Sequence, residues 1–215
     1  MEKYSYDLNK FNFAEIVRRR FEVRSLEDVD SILEGDLRIP TAPSEDQKTT
    51  FHKIFYGLYE EENSPFLVLY ERFIEHLVGL HYPNCQMAYQ KKPTFRVQAP
   101  NNIAVAKWHK DKEYNHSRHE LNIYLPLTRA FGTNTIWCEK EEDKGDYAPI
   151  EAEVGEYCIW DGANLNHGNK KNTTGCSRVS LDFRIIDFDK FNYQGSSITT
   201  KVPMKLGHYW KLCKS

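Results

Sequence analysis

Arg178-Val179-Ser180-Leu181-Asp182-Phe183-Arg184-Ile185 alternates without a break. Val179, Leu181, Phe183 and Ile185 fall on one face of an extended chain, and Arg178, Ser180, Asp182 and Arg184 fall on the other. The apolar face belongs in a core. The polar face, taken alone, suits a solvent-facing strand side as well as the wall of a cavity. Its neighbours in sequence narrow the choice. Phe95-Arg96-Val97-Gln98, Ile103-Ala104-Val105-Ala106-Lys107-Trp108-His109, Leu121-Asn122-Ile123-Tyr124-Leu125, Thr135-Ile136-Trp137-Cys138 and Glu156-Tyr157-Cys158-Ile159-Trp160 are further short runs of strand formers, separated by turn-rich sequence. Short strands at regular spacing predict a sandwich or barrel.

Upstream the period changes from two to that of a helix. Phe13-Ala14-Glu15-Ile16-Val17 begins a short helical segment ending near Phe21, and Ser25 caps a second with acids in its first turn. Ser44-Glu45-Asp46-Gln47 matches a capping box ahead of Phe51, Ile54, Phe55 and Leu58 at helical spacing. Ser64-Pro65 opens a longer helix that Tyr82-Pro83 stops. The expected fold class is therefore α+β with a mainly β core, the N-terminal helices packing on the sheet. With 215 residues, one domain over 1–215 is expected, helical over about 1–90, β over about 91–187 and extended by 188–215.

Composition removes several function classes. The formal net charge is −2, from 29 basic and 31 acidic residues, so no broad positive field favours nucleic acid or an anionic membrane. Arg18-Arg19-Arg20 and Lys170-Lys171 are short runs that suit a solvated surface. No apolar run approaches the roughly 18 residues that span a bilayer, and the start Met1-Glu2-Lys3-Tyr4 carries no cleavable apolar segment, which points to the cytoplasm. The five cysteines are widely spaced without a Cys-x-x-Cys pair, as expected of reduced thiols. A small-molecule substrate is the remaining expectation, and the oligomeric state is open.

His109-Lys110-Asp111 sets an imidazole and a carboxylate two residues apart, so on a strand both project from one face toward a single ion. With 8 histidines and 31 acids such a pair also arises by chance. His167, after the Asp161-Gly162 turn, offers a third ligand. Two histidines and one carboxylate hold three adjacent positions of an octahedral metal and leave the opposite face for exchangeable ligands. Eleven positions on, Arg178 offers a guanidinium fork for a carboxylate, with Ser180 on the same strand face as a further donor. Each residue alone suits a structural or surface role; their order along the chain is what singles them out.

Trp108-His109-Lys110-Asp111, then Asn166-His167, then Arg178-Val179-Ser180 resembles the His-x-Asp, distal His and Arg-x-Ser pattern of the iron(II)/2-oxoglutarate oxygenases. Phe95-Arg96-Val97-Gln98, His119-Glu120-Leu121-Asn122 and Gly132-Thr133-Asn134-Thr135 further resemble bacterial oxygenases of the streptomycin-biosynthesis hydroxylase-like type. The resemblance implies a double-stranded β-helix (jelly roll), iron(II) held by His109, Asp111 and His167, 2-oxoglutarate as co-substrate with its far carboxylate on Arg178 and Ser180, and O2 as oxidant. It places Gln98 and Asn122 where such enzymes hold co-substrate or substrate, although both also suit hydrogen bonding to backbone inside the barrel. The implied outcome is hydroxylation of a small polar metabolite such as a sugar, cyclitol, amino acid or nucleotide-linked compound, with release of succinate and CO2. Arg96, Tyr114, Asn134, Asp182 and Arg184 are candidate substrate contacts at the barrel mouth. Two other readings remain open: a cupin-like metal enzyme that does not use 2-oxoglutarate, and a non-catalytic jelly-roll binding protein.

Overall fold

The helices start where a short polar side chain can accept a free amide. The computed structural model describes residues 1–32, 47–105, 107–193, 195–198 and 200–214. Asn12 accepts the Glu15 N–H at 3.1 Å and opens α1 (Phe13–Phe21), which closes on Glu22 in the left-handed region, φ 56°. Phe13, Val17 and Phe21, one turn apart, are buried. Ser25 Oγ accepts the Glu27 N–H at 3.2 Å ahead of a 3-10 segment, Leu26–Ile32. Ser64 Oγ accepts the Leu67 N–H at 3.3 Å and, with Pro65 in the first turn, opens α3 (Pro65–His81). Between them α2 (Thr50–Tyr56) starts after Thr49. The capping box expected at Ser44, Glu45 and Asp46 lies outside the described residues, and Gln47 stands in a turn before the helix.

The strands are β1 (Glu2–Ser5), β2 (Met87–Gln90), β3 (Thr94–Gln98), β4 (Leu121–Pro126), β5 (Ile136–Cys138), β6 (Ala148–Pro149), β7 (Glu156–Trp160), β8 (His167–Asn169), β9 (Arg178–Asp187) and β10 (Trp210–Leu212). All pairings are antiparallel. The larger sheet runs β1-β7-β4-β9-β2-β10, and the smaller runs β6-β5-β8. β9 organises the larger sheet. One edge pairs with β4, and the other is shared by β3, opposite residues 178–182, and β2, opposite residues 185–187.

The alternation of β9 separates two environments. Val179, Leu181, Phe183 and Ile185 are each no more than 1% exposed and join the core under α1, α2 and α3. Phe55 of α2 stacks on Phe95 of β3 at 4.1 Å, and Phe73 of α3 meets Phe183 edge-on at 6.4 Å. Each fully buried side chain of this size contributes about 1.5–3 kcal/mol. The polar face looks the other way, into a cavity walled across from it by β5 and β8.

Three expectations change. The N-terminal region is not purely helical, since residues 2–5 extend the larger sheet along β7. The C-terminal stretch contributes β10, which covers the outer edge of β2. The strand expected over 103–109 does not form among its described residues. Asn101 adopts φ 63°, and Asn101 and Asn102 exchange backbone hydrogen bonds with Asn172, so a turn replaces the ladder until His109 pairs with His167. Among the described residues no helix is long and apolar enough to cross a membrane, and the five cysteines are free thiols.

Candidate metal centre

The histidines are brought together by their own backbones. The His109 N–H donates to the His167 carbonyl at 2.9 Å, and the His167 N–H returns the bond at 3.0 Å, which sets the two rings 4.5 Å apart. The chain then turns sharply. Asp111 donates its N–H to the Gly162 carbonyl at 3.0 Å and starts a 3-10 turn, Asp111–Tyr114. The turn brings Asp111 Oδ1 to 3.4 Å from His109 Nε2 and 3.7 Å from His167 Nε2. His109 and Asp111 thus converge by a bridge followed by a helical turn, and not from one face of a strand. Among the described residues the three ligand atoms form a metal-ligand cluster within 4.8 Å of one another.

Protons on the rings are placed by carbonyls. His109 Nδ1 lies 2.9 Å from the Lys107 oxygen, and His167 Nδ1 lies 3.0 Å from the Leu165 oxygen. A carbonyl only accepts, so each Nδ1 carries the proton and each Nε2 presents its lone pair to the cluster. Burial lowers the His167 pKa to about 4 and keeps that ring neutral. Burial acts oppositely on Asp111, but Arg184, and then the His109 contact, hold its carboxyl well below the usual range. Two imidazoles and one carboxylate suit a divalent transition metal with three open positions.

Asp111 Oδ2 is occupied by donors: Asn122 Nδ2 at 2.7 Å, Arg184 Nε at 2.9 Å and Arg184 Nη2 at 2.7 Å. Gly162 permits this approach. A Cβ there would lie 2.6 Å from Asn122 Nδ2 and 2.7 Å from its Cγ. Gly162→Ala is therefore expected to push Asn122 off Asp111 and weaken metal binding by about 10-fold, the scale of a lost second-layer contact. Isothermal titration with Co(II) reads this; undiminished affinity would refute the role given to the close approach.

On the far side of the same cavity sits Arg178, 1% exposed. Its Nε donates to the Asn134 carbonyl at 2.9 Å, Nη1 to Ser180 Oγ at 3.0 Å and Nη2 to Gln98 Oε1 at 3.2 Å. Gln98 is itself held by Lys170 and Asn169. Among the described residues no carboxylate lies within ion-pair distance of Arg178; Asp182, which shares the cavity wall and feels the Arg178 charge, is paired with Arg96, so the buried guanidinium makes no direct ion pair. Three buried atoms lining the cavity lack partners: Arg96 Nη1, Asn122 Oδ1 and Trp160 Nε1. Arg96 and Asp182 pair at 3.4 Å on this wall, and Tyr114 lines an adjoining outer cavity. Asn134 does not line either cavity; its side chain bonds the turn at Phe131 while its carbonyl holds Arg178.

Several residues here were absent from the sequence-based expectations. Glu120, His116, Tyr193 and Tyr209 surround Arg184. His116 lies in a loop and lines the outer cavity. No local spacing marks Tyr193 or Tyr209, because only the path of the chain after β9 returns them to the site.

No protein-family model matches the chain. The streptomycin biosynthesis protein StrG of Streptomyces griseus is 36% identical over 214 residues, covering 98% of each chain. Among solved structures, AviO1 of Streptomyces viridochromogenes Tue57 superposes with a TM-score of 0.50 at 15% identity, over 88% of this chain and 90% of that one. CytC3, solved with Fe(II) and alpha-ketoglutarate, gives a TM-score of 0.47 at 11% identity, over 87% and 72%.

Proposed function

We propose that this chain, which belongs to the family of the streptomycin biosynthesis protein StrG, is an iron(II)- and 2-oxoglutarate-dependent dioxygenase that hydroxylates a small polar metabolite. One observation supports this above the others: a single cavity holds a cluster able to take a cation on one wall and, on the opposite one, a buried guanidinium with no ion pair among the described residues. A metal together with a dicarboxylate complements both walls. A metal enzyme without a diacid would leave Arg178 buried and uncompensated.

In this reading His109, Asp111 and His167 hold the iron, and the two sheets form the double-stranded β-helix around it. Arg178 and Ser180 receive the far carboxylate of 2-oxoglutarate, with Gln98 fixing the plane of the guanidinium. Iron(II), 2-oxoglutarate and O2 together supply an oxidant able to break an unactivated C–H bond, with succinate and CO2 as by-products. The residues of the chain orient and exclude. Trp160 and Ile136 wall the inner cavity, limiting water beside the metal. Arg96, with one unpartnered N–H, and Tyr114 face the substrate from the outer cavity, whose lining is polar except for Val105. That lining supports a hydrophilic substrate such as a sugar, cyclitol, amino acid or nucleotide-linked compound.

Anaerobic addition of Fe(II) and 2-oxoglutarate tests the reading. A visible metal-to-ligand charge-transfer band that requires both additions is expected. Its absence in folded protein would end the proposal.

A further inference from the structure

We infer that Arg184 is a positioning residue that confines Asp111 to one metal-facing oxygen, and that the chain after β9 holds Arg184 in place. The inference deepens the reading of the metal centre given above and rests on it.

The two oxygens of Asp111 have unequal surroundings. Oδ1 faces the imidazoles at 3.4 and 3.7 Å. Oδ2 accepts three N–H groups at 2.7–2.9 Å, one from Asn122 and two from Arg184. Three donors saturate a carboxylate oxygen, which leaves Oδ1 as the atom free for a cation. The donors are fixed by the sheet, because Asn122 of β4 and Arg184 of β9 are directly paired in register. An aspartate binding through both oxygens would fill a fourth coordination position, so this clamp preserves the open face that a two-histidine, one-carboxylate site requires.

Arg184 is itself trapped. Beyond Asp111 its Nε lies 3.5 Å from Glu120 Oε2, and Glu120 is 1% exposed. Glu120 is oriented by the Ser117 N–H at 2.8 Å, His116 Nδ1 at 2.8 Å and the Tyr193 hydroxyl at 2.5 Å. Arg184 Nη1 reaches the Tyr209 hydroxyl at 3.4 Å. Tyr193 and Tyr209 pack with Phe191 and Trp210 in a cluster of their own. Moving the guanidinium would leave two buried carboxylates facing each other, an arrangement that burial makes costly. The segment after β9, silent in chemical motifs, thereby braces a metal ligand.

Co(II), a redox-stable probe, tests this through its dissociation constant and the intensity of its visible d–d bands, with the melting temperature of metal-free protein recorded alongside. Arg184→Gln is expected to weaken Co(II) binding about 10- to 100-fold. The bands should also shift and change intensity as Asp111 turns its second oxygen inward and displaces an exchangeable ligand. Arg184→Lys keeps the charge but cannot converge two N–H groups on Oδ2; it is expected to fold and to shift both readouts in the same direction by less. If Arg184→Gln fails to fold, Arg184→Lys decides. Tyr193→Phe, which removes only the hydroxyl on Glu120, should weaken Co(II) binding by less again. Wild-type affinity and band intensity in both Arg184 variants would overturn the clamp, and an unchanged Tyr193→Phe would overturn the brace. Failure of the wild-type protein to bind Co(II) would instead overturn the metal centre itself.

Discussion

His109→Ala loses its metal and, with it, succinate formation, while remaining folded. The ring contributes one of three possible ligand atoms, and among the described residues its ring contacts are with Tyr114 and His167. The structural tie at this position is the backbone exchange with His167, which alanine retains. Stability should therefore change little. A metal's Lewis-acid contribution is worth several kcal/mol, and about 1.4 kcal/mol is a factor of ten, so turnover is expected to fall about 1000-fold or more. Metal content by mass spectrometry, succinate release and circular dichroism read the three parts of this outcome separately. Full activity in the variant would remove His109 from the ligand set.

Arg178→Ala is expected to do the converse, keeping the metal while raising the 2-oxoglutarate requirement. A charge-assisted bond to a carboxylate is worth about 1.5–3 kcal/mol, which corresponds to about 10- to 100-fold in apparent affinity. The side chain is also a structural nexus, since its removal takes a donor from Asn134 O, Ser180 Oγ and Gln98 Oε1, of which Gln98 Oε1 keeps Asn169. Some loss of melting temperature should accompany the change. Co(II) binding in the absence of 2-oxoglutarate separates the effects: it should match wild type, because Arg178 makes no contact with the three ligands. An unchanged 2-oxoglutarate dependence would refute the assignment.

These experiments and those on Arg184 address opposite ends of one strand. β9 delivers Arg178 to an uncompensated position and Arg184 to a compensated one, although both side chains share the same polar face. What differs is the neighbour each finds. Arg184 meets Asp111 and Glu120, whereas Arg178 meets only neutral acceptors. In the proposed function the same residue type thus serves as a clamp in one place and as an anion receptor in the other.

Much of this was legible in one dimension because the signals were local. The period-two pattern over 178–185 marked a strand with a polar side, and the stretches at Phe13, Ser25 and Ser64 marked helix starts, since caps and periodicity act over a few residues. His109, Asp111, His167 and Arg178 stood out by type and order. The local route by which His109 and Asp111 meet was not legible, because a turn pinned by Asn172 outcompeted the strand propensity of 103–109.

The amino-acid sequence by itself determined the alternating faces, the helix starts and the identity of the residues that cluster as possible metal ligands. Tertiary structure alone decided that Arg184 and Asn122 grip Asp111, that Glu120, Tyr193 and Tyr209 surround that grip, and that Arg178 is buried with no ion pair among the described residues. The reason is physical. Alternation and capping depend on neighbours along the chain, whereas pairing of charges depends on which groups the sheet register and the returning C-terminal segment bring within about 3 Å, the range at which a hydrogen bond forms.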